Sequence, residues 1–419
     1  MVEDDTTANA GAAPRSSRRA FVKATGVAGV LGVSGAGCLA EEGGSGDGTT
    51  VTYGLLNPMT GPYGGLAEGQ RNGANLAIQH VNERDEFDVE IEGVEEDTEA
   101  DPSTGRRKAQ SLVEQDGASF LMGAISSSTA LALNEYALEE ELIYNPGAAA
   151  VAITGENCNE YVFRAEHSVA QIAEAVSGYT AENLGTDVWF HIADYAYGES
   201  VMERVERRMG RDHEVNVVGR SRSQLGADNY SSYVSQISNS DAEVAILGMT
   251  GGDLINFVKQ AASQGLKDDV ELMSPTLSFA VVRNALGEAA YDTHSALRYA
   301  PSFETGTNQD FVSAYQEEYG SPPDNFARVA YQSITMTARG IDEAGSTDPS
   351  DVKDELAGME TETVMGDVAF RDCDHQATNA VWSARLVEPD SGDAAAVERT
   401  NELSGEESLP DCSDLGCDL

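Results

Sequence analysis

Phe120-Leu121-Met122-Gly123-Ala124-Ile125-Ser126-Ser127-Ser128-Thr129 passes from a short apolar run, through a small-residue loop, to four successive hydroxyls, and a helical pattern opens near Ala130. Strand, tight loop and helix in that order make one βα unit, with the loop at the carboxyl end of the strand. The order recurs. Residues 188–193 run into Asp194-Tyr195-Ala196-Tyr197-Gly198, and residues 244–248 into Met249-Thr250-Gly251-Gly252-Asp253. Other apolar runs of strand length are 51–55, 89–94, 142–145, 215–219 and 270–273, with helical periodicity between them. In 326–341, for example, Phe326, Val329, Ala330, Ile334, Thr337 and Ile341 share one helical face. The fold class is therefore α/β, with parallel sheets built from βα units.

The chain has 419 residues, 41% of them apolar, enough for two cores of ordinary size. Two groups of βα units separate near Glu166, where Tyr161-Val162-Phe163-Arg164 ends an apolar run and a new helical pattern begins. In such sheets a ligand sits beyond the carboxyl ends of the strands, and two facing lobes place it in the cleft between them. At Ser126, Ser127, Ser128 and Thr129, hydroxyls and the free N–H groups of a helix start converge, which suits a carboxylate or carbonyl oxygen without any cationic side chain. An ordinary N-cap explains the same residues equally well. Tyr195 and Tyr197 offer ring faces and phenols to a polar solute, or simply pack their loop.

The formal charge is -45, with 71 acidic against 26 basic residues. Nucleic acid is excluded as a partner on that charge. A salt-rich environment accounts for it best, because at molar salt the Debye length is about 3 Å and the self-repulsion is screened. Arg18 and Arg19, in Ser17-Arg18-Arg19-Ala20-Phe21-Val22-Lys23, form a twin-arginine motif ahead of a weakly apolar run too short to span a membrane. Gly35-Ala36-Gly37-Cys38 closes that run like a lipobox, with Cys38 as the lipid attachment point, and the Gly-rich stretch to residue 50 reads as a tether. Gly35-x-Gly37-x-x-Ala40 matches a dinucleotide fingerprint only formally, since it neither follows a strand nor opens a helix. The reading places the protein on the extracellular face of the cytoplasmic membrane. Cys158, Cys373, Cys412 and Cys417 remain for two disulfides, Cys412 with Cys417 being the easiest pair to draw; no cysteine or histidine spacing supports a metal.

Enzyme signatures are missing: there is no GxSxG elbow, P-loop or HExxH, and Asp374-His375 reads as a solvated turn between late strands. No cofactor is expected. From Val51 to Val387 the chain resembles the branched-chain amino acid and amide type of periplasmic binding protein, of the type I fold. The resemblance rests on Met59-Thr60-Gly61-Pro62-Tyr63, Gly73-Ala74 with Asn82, Asp97 with Asp101-Pro102, Gly123 with Ser126 to Thr129, Pro146-Gly147-Ala148, Val162-Phe163-Arg164, Tyr197-Gly198 and Gln264-Gly265-Leu266, in that order and spacing. It implies two Rossmann-like lobes joined by a three-segment hinge, its later crossings near Pro301 and residues 358–365, and an ABC permease as membrane partner. It also implies that Ser126 to Thr129, with backbone at Ala148 and Ala149, take the oxygen end of the ligand, and that Tyr195 and Tyr197 contact it as in the amide-binding branch. The amino-acid binders use a tyrosine and a glutamate for the ammonium where this chain has Thr250 and Thr276. That departure favours a small amide or urea-like solute over a free amino acid, although Glu166 is an acid near enough to substitute.

The expected organisation is a signal peptide at 1–37, a lipid-anchored linker at 38–50, lobe 1 at 51–165 plus 301–358, lobe 2 at 166–300 plus 359–388, and an acidic flexible tail at 389–419. The functional expectation is solute capture for an importer by lobe closure, the alternative being a lipid-anchored sensor that reports the same closure to a signalling partner. Changing Arg18 and Arg19 together to Lys is expected to leave precursor in the cytoplasm, and Cys38→Ser to release mature protein into the medium, both read by fractionation and immunoblotting. Normal membrane attachment of the Cys38→Ser protein would rule out the anchor.

Overall fold

The computed structural model of the protein describes residues 49–417 and 419, so Arg18, Arg19, Cys38 and almost all of the expected signal and tether segments lie outside the described residues. The first lobe opens with β1 (Thr49–Asn57), α1 (Gly64–Glu83), β2 (Val89–Asp97), α2 (Pro102–Asp116), β3 (Phe120–Gly123), α3 (Ser127–Glu140) and β4 (Ile143–Pro146). Their strands form one parallel sheet in the order β2-β1-β3-β4. The chain crosses at residues 161–168 into α4 (Val169–Asn183), β5 (Asp187–Ala193), α5 (Ala196–Asp212), β6 (Asn216–Ser223), α6 (Ser231–Ser238), β7 (Val244–Gly248), α7 (Gly251–Ser263), β8 (Glu271–Ser274), α8 (Ala280–Leu286) and β9 (Thr293–Leu297). These five strands run parallel in the order β6-β5-β7-β8-β9.

At Arg298 the chain returns to the first lobe for α9 (Asn308–Tyr319), α10 (Asn325–Ala344), α11 (Pro349–Leu356) and the hairpin of β10 (Glu360–Thr363) with β11 (Gly366–Ala369). A third passage, at residues 370–380, leads to β12 (Val381–Val387), which joins β9 antiparallel; β13 (Ala396–Leu403) pairs beside it and α12 (Gly405–Ser408) follows. Each sheet is covered on both faces, so four apolar clusters form, as parallel sheets require. Local chemistry agrees with the elements. Asp101 caps α2, accepting from Thr104 N at 2.8 Å with Pro102 in the first turn, and Gly117 ends the helix at φ 71.

Several expectations are corrected. The hairpin at 360–369 belongs to the first lobe, because Val364, Met365 and Val368 pack in the core beneath α10; the third crossing therefore lies at 370–380 rather than 358–365. Residues 389–419 are no free tail. β13 is an edge strand held by backbone pairing to β12, and its outward side chains are charged, so it carries no apolar alternation to read. The disulfides join Cys158 to Cys417 and Cys373 to Cys412, tying the end of the chain to segments flanking the first and third crossings. Asp374 and His375 are buried: Arg371 pairs with Asp374, and His375 stacks on Phe163 with ring centroids 4.1 Å apart.

α1 and α10 pack most closely at Gly73, where a Cβ would overlap the carbonyl of Ala327. Gly73→Ala is accordingly expected to destabilise by about 1–3 kcal/mol despite the better helix propensity of alanine. A thermal melt that shows Gly73→Ala as stable as the parent would refute the close packing.

Candidate functional site

Loops at the carboxyl ends of both sheets close around a small cavity of about 20 Å³, room for one or two waters. From the first lobe come Ile125 after β3, and Gly147, Ala148 and Ala149 after β4. The second lobe contributes Tyr195 and Tyr197 after β5, Thr250 after β7, and Thr276 and Phe279 after β8. Glu166 and Arg298, from the first and second crossings, and Phe326, from the first turn of α10, complete the wall. A larger crevice of about 370 Å³ lies between α3 and α5, but it is lined in large part by charged side chains, most of them along α5. The enclosed cavity, at the strand ends and mixing aromatic with polar groups, is the better candidate.

The expected residues divide. Ala148, Ala149, Tyr195, Tyr197, Thr250 and Thr276 line the cavity together, whereas Ser126, Ser127, Ser128 and Thr129 do not. α3 begins at Ser127 rather than near Ala130, which turns three of those hydroxyls into its first turn. Ser127 Oγ accepts from Ala150 N at 3.2 Å and Ser128 Oγ from Ala196 N at 3.3 Å, while Thr129 packs against Gly105 of α2. Ser126 holds the N-cap position but makes no cap bond, and its Oγ is buried without a partner. Ala124, at φ 57, takes the backbone into the left-handed region just before Ile125.

Among the cavity hydroxyls, Thr276 Oγ1 donates to Met249 O at 2.8 Å, but Thr250 Oγ1 and the Tyr197 phenol have no partner among the described residues. Burial pushes that phenol up to about 12, so it stays a neutral donor at any working pH. Glu166 is fully buried and heavily engaged. Oε1 lies 3.3 Å from Arg298 and 3.6 Å from Arg328, and accepts from His167 N at 2.7 Å; Oε2 accepts from Asn325 Nδ2 at 2.6 Å. Burial alone would raise this carboxyl, but the attraction of Arg298, the His167 hydrogen bond and Arg328 together hold it well below the usual range. Arg298, Phe279 and Phe326 escaped the sequence reading. The first lies with its guanidinium 4.6 Å from the ring centroid of the second.

Three helices of the second lobe start here without a side-chain cap of their own. Each is met from the first lobe: Ser128 Oγ accepts from Ala196 N at 3.3 Å, Pro62 O from Gly252 N at 3.4 Å, and Asp324 Oδ2 from Ala280 N at 2.7 Å. Orphan helix donors on one lobe are thus satisfied by acceptors on the other, which couples the helix starts to the approach of the lobes.

Two doubly covered α/β lobes, three crossings and an enclosed polar and aromatic cavity between them define a two-lobed solute-binding protein. The model of the periplasmic binding protein family matches residues 50–393, and the chain belongs to that family. The leucine-, isoleucine-, valine-, threonine- and alanine-binding protein of Pseudomonas aeruginosa is 26% identical over 77% of this chain and 86% of its own length. In fold, a periplasmic binding protein from Burkholderia mallei aligns with a TM-score of 0.81 at 23% identity, over 88% of this chain and 98% of that one. An ABC transporter solute-binding protein from R. palustris, solved in complex with benzoate, gives 0.78 at 21% identity over 88% and 100%. These relatives are solute-binding proteins, not enzymes.

Glu166→Gln would leave two buried arginines without their carboxylate and is expected to cost about 3–5 kcal/mol of stability. Because the folded-state pKa lies below the ordinary 4.5, this contribution is complete above that pH and is lost as the pH falls toward the folded value. Melts across the acid range should therefore show a steeper loss for the parent than for the variant; parallel profiles would remove Glu166 from this role.

Proposed function

We propose that this protein captures a small polar organic solute outside the cytoplasm, by closure of its two lobes, and hands it to the permease of an ABC importer. The observation that carries this reading is the cavity, which takes its wall from both lobes and two of the crossings, so that only their approach encloses a solute. Membership of the periplasmic binding protein family supports extracytoplasmic work. The twin-arginine motif at Arg18 and Arg19, with Cys38, supports export and lipid anchoring at the extracellular face of the cytoplasmic membrane, and the charge of -45 supports a salt-rich habitat.

Within the solute class, branched-chain amino acids, amides and urea-like compounds remain the candidates from the chain's own residues, and the amino acids and benzoate named for its relatives are likewise small organic molecules. The contacts we assign to the ligand are Tyr195, Tyr197, Thr250 and Thr276 from the second lobe, with backbone at Ala148 and Ala149 from the first. Ser126 to Thr129 stand behind them at the start of α3.

Thermal shifts against amino acids, amides, urea and aromatic acids in molar salt test the function. A solute at 100 times its dissociation constant should stabilise by about 2.7 kcal/mol. Tyr195→Ala is expected to weaken whichever solute binds by at least about 1 kcal/mol in calorimetric titration, through lost ring contact. Unchanged affinity would return Tyr195 to a packing role.

A further inference from the structure

The cleft contains a buried cation that its surroundings leave unsatisfied. Arg298 is 2% exposed and lines the cavity, yet among the described residues it donates no hydrogen bond. Its Nε has no partner, and its approach to Glu166 is an ion pair at 3.3 Å through Nη1. Arg328, beside it, likewise leaves its Nε unpartnered among the described residues, but its other nitrogens donate to Ala165 O at 2.8 Å, Gln332 Oε1 at 3.2 Å and Asn325 Oδ1 at 2.9 Å, whereas those of Arg298 donate to none. Glu166 is thus shared between two guanidiniums, with hydrogen bonds from His167 and Asn325 already on its oxygens. Of the two buried guanidiniums that share this one carboxylate, only Arg298 lines the cavity. A guanidinium has five donors in a planar fork that fits a carboxylate, and leaving them unmade in a dry site is costly.

We infer that the ligand is an organic carboxylate without an ammonium group, its carboxylate seated on Arg298 and its body lying among Phe279, Phe326 and Tyr197. This assignment rests on the solute-capture reading and replaces its candidate amino acids, amides and urea-like compounds with a different class of small organic solute. An ammonium finds no acid here, since Glu166 is spent on the arginines, and Thr250 and Tyr197 offer only neutral hydroxyls. A neutral amide oxygen would add no charge for the two guanidiniums that share Glu166, whereas a carboxylate adds one and offers the fork of Arg298 two acceptors in bidentate geometry. The expectation of an uncharged solute rested on Thr250 and Thr276 standing where the amino-acid binders carry a tyrosine and a glutamate, and it did not include Arg298, which favours a carboxylate instead.

Calorimetric titration of the full chain in molar salt with benzoate, its neutral isostere benzamide, and leucine tests the assignment. Benzoate should bind at least tenfold more tightly than either of the others. Arg298→Gln should remove most of that preference, weakening benzoate at least tenfold while changing benzamide less than threefold. Should that variant not fold, the benzoate-to-benzamide ratio on the parent protein decides alone. Leucine or benzamide binding as tightly as benzoate would overturn the carboxylate assignment and leave solute capture standing. Silence from all three in titration and thermal shift would overturn the assignment, and silence from the wider solute panel as well would count against capture itself.

Discussion

One buried carboxylate organises the region on which everything else depends. Glu166 sits in the first crossing and binds Arg298 of the second and Arg328 of α10, while Gln376 of the third crossing donates Nε2 to the Glu166 carbonyl at 2.8 Å. Gln376 also accepts from Arg164 Nε at 2.6 Å, and Arg164 in turn holds the carbonyls of Ala148 and Ala150 behind the cavity. Desolvating these charges carries a penalty of several kcal/mol per ion, which an apolar hinge would not incur. Ion pairs and directed hydrogen bonds do what apolar packing does poorly: they fix which atoms of three separate passages lie opposite one another. The cavity wall, which draws Glu166 and Arg298 from two of those passages, inherits that registration.

A second consequence concerns how the lobes meet. A helix start without its own cap leaves donors that must be satisfied by solvent or by something that arrives. α5, α7 and α8 are of this kind, and their acceptors come from the opposite lobe. Asp324 is the strongest of the three, because its charge also interacts favourably with the dipole of α8. In an open arrangement water would take these positions. Replacing water with fixed acceptors makes each cap worth modest energy, so closure depends on the solute for the remainder, as a reversible binder requires.

The strands β1 to β8 were legible because each is a short apolar run between turn-forming segments, and 120–123 and 244–248, buried along their whole length, were legible to their ends. The C-terminal part was not. β13 pairs through its backbone and turns charged side chains outward, and disulfide partners are chosen by the fold rather than by spacing. In the site, Tyr195, Tyr197 and Thr250 could be found because they follow strands directly. Phe326 was seen only as one apolar position on a helical face, and Arg298 follows β9, a strand too poor in aliphatic residues to announce itself. The hydroxyl run at 126–129 divides because helix geometry turns consecutive residues in different directions: Ser127 and Ser128 accept from Ala150 N and Ala196 N, and none of the four lines the cavity.

The distribution of charge links the surface to the cleft. A chain with a net charge of -45 repels an anion at long range in dilute buffer. In molar salt that field is cut within about 3 Å, whereas Arg298, enclosed among Phe279, Tyr197 and Glu166, is screened far less. In dilute buffer the acidic surface therefore opposes the approach of an anion to Arg298, and molar salt removes most of that opposition. The same surplus of acid that keeps the exterior hydrated makes each buried arginine stand out: of 26 basic residues, Arg164, Arg298 and Arg328 are withdrawn from a surface short of positive charge and placed at the crossings. Arg164 and Arg328 have their acceptors inside the protein. Arg298 has only its ion pair to Glu166 and no hydrogen bond among the described residues, and on the carboxylate assignment the solute supplies the acceptors its fork lacks.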